Sequence, residues 1–385
     1  MTSFGGVVSL YGWYANNNLG DDLLLESSLS ILARTNCRVV LYGDKDKVEA
    51  VLAQFPDNIR GIVIDIRRRT ATSVIRDALV HDAFMVGGGG IFPTKNYPKG
   101  LFYLLTTILY RLRGKRVIFA GVSIEEFNFN NPIMSRVVRG LIRFSSYFSM
   151  RDSFYTQSAL PESVKHKVKT IPDLVFSLPV ESGMRNTRNE AVICCANIFT
   201  KSPQDVLNTF VQDLSSVINW LLAQGYSVSL AAFSSSDEAL NRSVAGCVGS
   251  SETVRLKTYS YDETRRRCFD LFKNASISIC MRFHSLVLSQ LSQCPYISIS
   301  YSNKNIALLD DLGLSHWQVP FGTGENEYLC KTIDLDAEKI IDLLEQLIGI
   351  LPVYSKQLSN KNIEIERSKE LATTEILDLL YKKAK

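Results

Sequence analysis

Residues 275–304 read ASISICMRFHSLVLSQLSQCPYISISYSNK, and this stretch decides the fold class. Ile277 to Met281 is an apolar, β-branched run, the pattern of a strand buried on both faces. Arg282, His284 and Ser285 follow as a polar group. Leu286, Leu288 and Leu291 then set up a helical repeat that Cys294 and Pro295 close. A second strand is expected over Tyr296 to Tyr301, delivering Asn303 and Lys304. Strand, helix, strand is the unit of a parallel sheet, and such sheets bind ligands beyond the carboxyl ends of their strands. Helix N-termini there present N–H groups and a positive dipole end, which favour anions. Arg282, His284 and Lys304 therefore stand where a small anionic substrate binds. Any one of them alone reads more readily as a surface charge at the start of a loop; the three together favour a site.

The same rhythm extends backwards. Strands are expected at Ala191–Ala196, Tyr226–Ala232 and Val254–Leu256, with helices at Asp205–Leu222, Asp237–Ala245 and Thr264–Phe272. The first half alternates likewise, from a strand at Val7–Tyr11 through others at Arg38–Tyr42, Ile62–Ile66, Val117–Val122 and Tyr147–Met150. A last short strand is expected to begin at Ile171-Pro172-Asp173. Alternation in both halves predicts an α/β chain of two doubly wound, Rossmann-like domains facing across a cleft that holds the active site. The polar segment ESGMRNTRNE is the natural linker, so the expected domains are 1–180 and 191–385, joined by 181–190. From Asp336 the chain is expected to be helical, ending in Lys382, Lys383 and Lys385.

A length of 385 residues suits two cores, and 46% hydrophobic with 21% charged residues describes a globular chain. Its 43 Lys and Arg against 39 Asp and Glu give a formal +4, too weak for a nucleic-acid binder. Eight cysteines scatter without a C-x-x-C pair, which suits buried free thiols in a reducing compartment. The N-terminus lacks a signal-peptide pattern and no apolar run reaches membrane-spanning length, so a cytoplasmic location is expected.

The first loop, GWYANNNLGDD, follows a strand and opens a helix that Asn18, Asp21 or Asp22 can cap. This is phosphate-cradling geometry without a G-x-G-x-x-G fingerprint. Four glycines, Gly87 to Gly90, are expected at a strand end, allowing close approach by a ligand or another backbone. Asn18, Asp21, Gly88 and Gly89 are the acceptor-side candidates. Asp44 and Asp46 form a D-x-D directly before a helix, which reads as a cap rather than a metal site, and no metal is expected. Arg136, Arg139 and Arg143 share one helix face, either simply solvated or a contact with anionic lipid at the inner face of the cytoplasmic membrane.

Arg151-Asp152 ends another strand, adding a third strand-end cation. Two Arg, one Lys and one His suit a substrate carrying both carboxylate and phosphate, as phosphoenolpyruvate does. His284 alone of the four histidines lies in that cluster, and imidazole suits proton transfer near neutrality.

The ordered set from Gly12 to Asp22, the run 87–90, Arg151-Asp152, Met281-Arg282-Phe283-His284-Ser285 and Ile299 to Lys304 resembles the polysaccharide pyruvyl transferase family. The resemblance implies a GT-B-like fold and transfer of pyruvate from phosphoenolpyruvate onto two hydroxyls of a sugar, as a ketal. It implies a donor site lined by Arg151, His284 and Lys304, with Arg282 adjacent; from the residues themselves Ser285 is added to the donor side, and His284 with Arg282 is expected in the catalytic role. Phosphoenolpyruvate is then a co-substrate with no resident cofactor, and the acceptor a sugar or lipid-linked glycan. A glycosyltransferase using a nucleotide sugar, and a glycan-binding subunit without turnover, are the rival readings.

Overall fold

A computed structural model describes residues 5–56, 59, 62–68, 70–92, 97–124, 131–153, 160–179, 188–249, 255–321 and 335–381. Most of the expected linker, residues 181–187, lies outside these. So do Cys330 and the C-terminal lysines. The chain divides into two units. The first comprises residues 1–16, 21–178 and 365–385, and the second residues 17–20 and 179–364.

The first unit is built on seven parallel strands: β1 (Val7–Tyr11), β2 (Arg38–Tyr42), β3 (Ile64–Arg67), β4 (Ala83–Phe92), β5 (Arg116–Ile124), β6 (Tyr147–Met150) and β7 (Val168–Thr170). Their spatial order is β3-β2-β1-β4-β5-β6-β7, so the winding reverses between β1 and β4. Helices α1 (Leu19–Ala33), α2 (Lys45–Leu52), α3 (Ala71–Val80), α4 (Tyr97–Leu112), α5 (Pro132–Phe144) and the single turn α6 (Glu162–Lys165) make the crossovers. All nine residues of β5 are buried, as expected of a strand covered on both faces. Phe84, Phe119, Phe148, Tyr103 and Tyr110 anchor the core.

Two details differ from the sequence expectation, and the expected Asp44 cap is present. The glycine run does not end β4 but lies inside it, because β5 supplies a partner through Gly87↔Ala120 and Gly89↔Val122. The strand expected at Ile171–Asp173 is instead the lysine-flanked edge strand β7, just upstream. Asp173 then caps a 3-10 turn, Leu174–Ser177, by accepting from the Val175 amide at 2.9 Å. The Asp44 carboxylate caps α2, accepting from the Lys47 amide at 3.2 Å.

Burial pushes the half-buried Glu26 of α1 up from 4.5 to about 7. A raised folded pKa means that its stability contribution is complete below pH 4.5 and is lost as pH rises through 7. Glu26→Gln is therefore expected to raise stability at about pH 8 by on the order of 2 kcal/mol, and by little at about pH 4. Urea titrations at the two pH values measure this, and an equal effect at both refutes it.

The second unit repeats the architecture with six parallel strands: β8 (Arg188–Cys194), β9 (Ser227–Ala231), β10 (Leu256–Tyr259), β11 (Ala275–Cys280), β12 (Tyr296–Ser300) and β13 (Gln318–Pro320). The order is β10-β9-β8-β11-β12-β13, reversing between β8 and β11. The crossovers are α7 (Gln204–Ala223), α8 (Asp237–Gly246), α9 (Tyr261–Asn274), α10 (Phe283–Leu291) and α11 (Asn303–Leu312). Two C-terminal helices follow, α12 (Ala337–Gly349) and α13 (Leu351–Tyr381). The start of α13 serves the second unit, where Tyr354 donates to the Tyr296 carbonyl at 3.1 Å. Its end serves the first, where Tyr381 donates to the Arg34 carbonyl at 2.8 Å.

Candidate functional site

The winding of the second sheet reverses between β8 and β11, and the carboxyl ends of the strands at such a reversal are the usual ligand position in a doubly wound sheet. Arg282 is the first turn residue there, the N-cap of α10, in extended conformation (φ −69°, ψ 135°). Its Nε donates to Asp237 Oδ2 at 3.1 Å and its Nη2 to Asp237 Oδ1, a two-point fork. Asp237 is fully buried at the start of α8 and also accepts from the Asn197 amide at 2.9 Å and the Ser234 amide at 3.0 Å. One carboxylate thus ties together the chain just beyond β8, β9 and β11.

His284 lies in the first turn of α10, its ring edge-on to Phe283 at 5.2 Å. It rests against Gly20: a Cβ there would fall 1.8 Å from His284 Nδ1. Gly20 belongs to the short segment 17–20, which clusters with the second unit through Leu19 N to Phe233 O at 2.8 Å and an Asn18–Ser234 bridge. Asn18 accepts from the Gly20 amide at 3.0 Å and so caps α1, one of the roles open to it from sequence.

Lys304 is half-buried in the first turn of α11, at the end of the neighbouring strand β12. Asn305 beside it is fully buried and donates to the Met281 carbonyl at 2.6 Å, locking the α11 start to the β11 end. The Arg282 guanidinium, which has donors only, cannot cap α10, and the Ser302 side chain makes no cap hydrogen bond to α11. Two helix N-termini with Arg282, His284 and Lys304 therefore lie at adjacent strand ends, an arrangement that favours an anion. Ser285 takes a different part: it is fully buried, and its hydroxyl donates to the Arg282 carbonyl at 2.6 Å. It shapes the turn rather than facing a ligand.

Arg151, at the end of β6 in the first unit, has a side chain only 5% exposed and donates to Asp173 Oδ2 at 2.6 Å. Its charge is met by a buried carboxylate. At the first unit's own reversal point, Asp21, Gly88 and Gly89 line one pocket with Trp13, Lys99 and Tyr103. Gly88 adopts φ +76°, a left-handed conformation that costs an L-residue strain. The Lys99 ammonium sits 4.6 Å from the ring centroid of Trp13, whose surface is 56% exposed. The sequence signal for this pocket is a tryptophan in the loop after β1. Asp237 and Asn305 give no such signal, because a lone Asp and a lone Asn at helix starts look like ordinary caps.

Two doubly wound units, each with polar groups gathered at its reversal point, define a chain of the GT-B class. Solved structures agree at the level of fold. The UDP-GlcNAc 2-epimerase of Neisseria meningitidis, bound to UDP-GlcNAc, matches with TM-score 0.62 and 11% identity over 97% of this chain and 99% of its own. The Methanocaldococcus jannaschii UDP-GlcNAc 2-epimerase gives 0.54 and 12% over 88% and 91%. Acinetobacter baumannii MurG gives 0.50 and 11% over 97% and 98%. No curated protein matches in sequence. The chain belongs to the polysaccharide pyruvyl transferase family, whose model matches residues 18–303, from the Asn18 cap to the start of α11. It is thus a transferase of polysaccharide biosynthesis.

Proposed function

We propose that this transferase moves pyruvate from phosphoenolpyruvate onto two hydroxyls of one sugar unit, as a ketal, in bacterial surface polysaccharide biosynthesis in the cytoplasm. The observation that carries this reading is the pair of helix N-termini joined by Arg282, His284 and Lys304 at the ends of β11 and β12. Phosphoenolpyruvate brings a carboxylate and a phosphate, and the site offers an Arg edge, a Lys point charge and two dipole ends. Phosphoenolpyruvate acts as co-substrate, with no resident cofactor. The sugar or lipid-linked acceptor is assigned to the surface of the first unit around the exposed Trp13 and Asp21.

In this mechanism His284 gives a proton to the methylene carbon, which becomes a methyl group. The central carbon turns electrophilic and takes the first sugar oxygen, whose proton departs. The C–O bond to phosphate then breaks, and the second hydroxyl attacks the same carbon and loses its proton. The products are the cyclic ketal and inorganic phosphate. Arg282 and Lys304 stabilise charge on the departing phosphate, a kind of contact worth a few kcal/mol of barrier. Ser285 holds the turn that carries Arg282, through its hydrogen bond to the Arg282 carbonyl.

Thermal unfolding with phosphoenolpyruvate, UDP, GDP or inorganic phosphate tests the donor. At about a hundred times its dissociation constant, phosphoenolpyruvate is expected to add roughly 2.7 kcal/mol, raising Tm by about 5–10 °C. Arg282→Lys, which keeps the charge but loses the fork, is expected to abolish most of that shift. Stabilisation by a nucleotide diphosphate alone would replace this reading with nucleotide-sugar transfer.

A further inference from the structure

We infer that the α4–α5 face of the first unit docks on the surface of an anionic phospholipid bilayer. The two helices pack side by side: Gly100 abuts Met134 and Val137, and Gly140 abuts Leu104. Their buried ridges, including Tyr103 and Tyr110 on α4 and Val137 and Leu141 on α5, meet the sheet core. The opposite ridges consequently point outward together, at helical spacing. On α4 that ridge is Leu101, Leu105 and Leu112, of which Leu105 is 60% and Leu112 77% exposed. On α5 it is Arg136, Arg139 and Arg143, all exposed, flanked by the exposed Ile133 and Phe144.

Charge decides the occupant. The two helices carry five cations, Lys99, Arg111, Arg136, Arg139 and Arg143, and no carboxylate. Residues 97–124 and 127–151 contain no Asp or Glu at all, in a chain with 39 of them. Arg136, Arg139 and Arg143 also line an open groove of about 640 Å3 with Ser163 of α6 and Lys167 just beyond it. Lys167 Nζ donates to the Arg143 carbonyl at 3.3 Å, so the groove wall is fixed. Leucines beside unopposed arginines match a bilayer interface, where the apolar side chains enter the acyl boundary and the cations meet head-group phosphates. An acidic protein or a nucleic acid would use the arginines but gain little from a leucine ridge. Among the described residues no helix is long and apolar enough to cross a membrane, so the contact is peripheral.

Vesicle flotation of the full chain tests this, comparing phosphatidylcholine alone with phosphatidylcholine plus phosphatidylglycerol. Binding is expected to the anionic vesicles only, and to fall as salt rises. Replacing Arg136, Arg139 and Arg143 by Ser is expected to lower partitioning at least about tenfold, while replacing all three by Lys retains it. Leu105→Gln with Leu112→Gln is expected to lower it several-fold without changing the salt dependence. Every substituted side chain is exposed, and an unchanged thermal transition confirms folding. Equal binding to both vesicle types, or full binding by the Ser variant, would overturn the inference. Full binding by the Gln pair would overturn the part given to the leucine ridge, leaving an electrostatic contact through the arginines alone.

Discussion

Asp237→Ala is expected to lower the unfolding free energy of the second unit by about 3 kcal/mol. The side chain is fully buried and accepts from two backbone amides as well as from the Arg282 guanidinium. Its loss strands the amides of Asn197 and Ser234 and leaves a cation without its counter-charge. Breaking a buried ion pair costs about 3–5 kcal/mol, and the lower end applies because the Arg282 side chain keeps 20% of its surface in solvent. The thermal transition of this unit is expected about 6–12 °C lower. Removing both partners is the sharper measurement. Asp237→Ala with Arg282→Ala is expected to cost less than the sum of the single changes, by about 1–3 kcal/mol, since neither charge is then left alone. A fall in Tm under about 2 °C for Asp237→Ala would mean that solvent already carries the Arg282 charge. The carboxylate would then have no part in placing that guanidinium at the strand end.

The elements that announce themselves in sequence are those whose burial leaves no choice of residue. β11 and β12 are buried at every position, so ASISIC and YISIS could be read as strands, with the cations at their ends placed correctly. Legibility fails where a neighbour overrides local preference. Gly87 to Gly90 have poor strand propensity, yet they pair because β5 runs beside them. VKT forms β7 although its lysine suggests a solvated run, because it is the sheet edge, where lysine is well tolerated. The site was legible on the same terms. A strand-end cation is visible as a position, but its partner is not. Arg282 and Asp237 stand 45 residues apart, Arg151 and Asp173 stand 22 apart, and no local pattern couples either pair. Ser285 shows the converse, since its place in the R-x-H-S group suggested ligand contact while the helix turn carries it inward.

Gly20 poses the sharpest case, because the physics of one missing methyl joins the first loop to the proposed proton donor. His284→Ala is expected to reduce kcat for ketal formation by about 10²–10⁴, the usual range for removing a general acid. Gly20→Ala is expected to reach much of that loss, about 10²-fold, without touching the imidazole's chemistry. The three atoms nearest to the added Cβ, at 1.8–2.6 Å, all belong to the His284 ring, so the ring must leave its position. Gly20 carries no positive φ and sits in the first turn of α1, where alanine is intrinsically favoured over glycine by up to about 1 kcal/mol. Backbone strain therefore cannot be the cause, and the sign of the stability effect depends on what stands opposite. With His284 present, Gly20→Ala is expected to be destabilising. With His284→Ala it is expected to be neutral or mildly stabilising, and to cause no further loss of turnover. Denaturant melts of the four combinations read the first reversal without any assay, and kcat reads the second. If Gly20→Ala lowered activity equally in both backgrounds, the glycine would be acting on something other than His284. If it lowered stability equally in both, the contact between the loop and the α10 start would not be the tight one described.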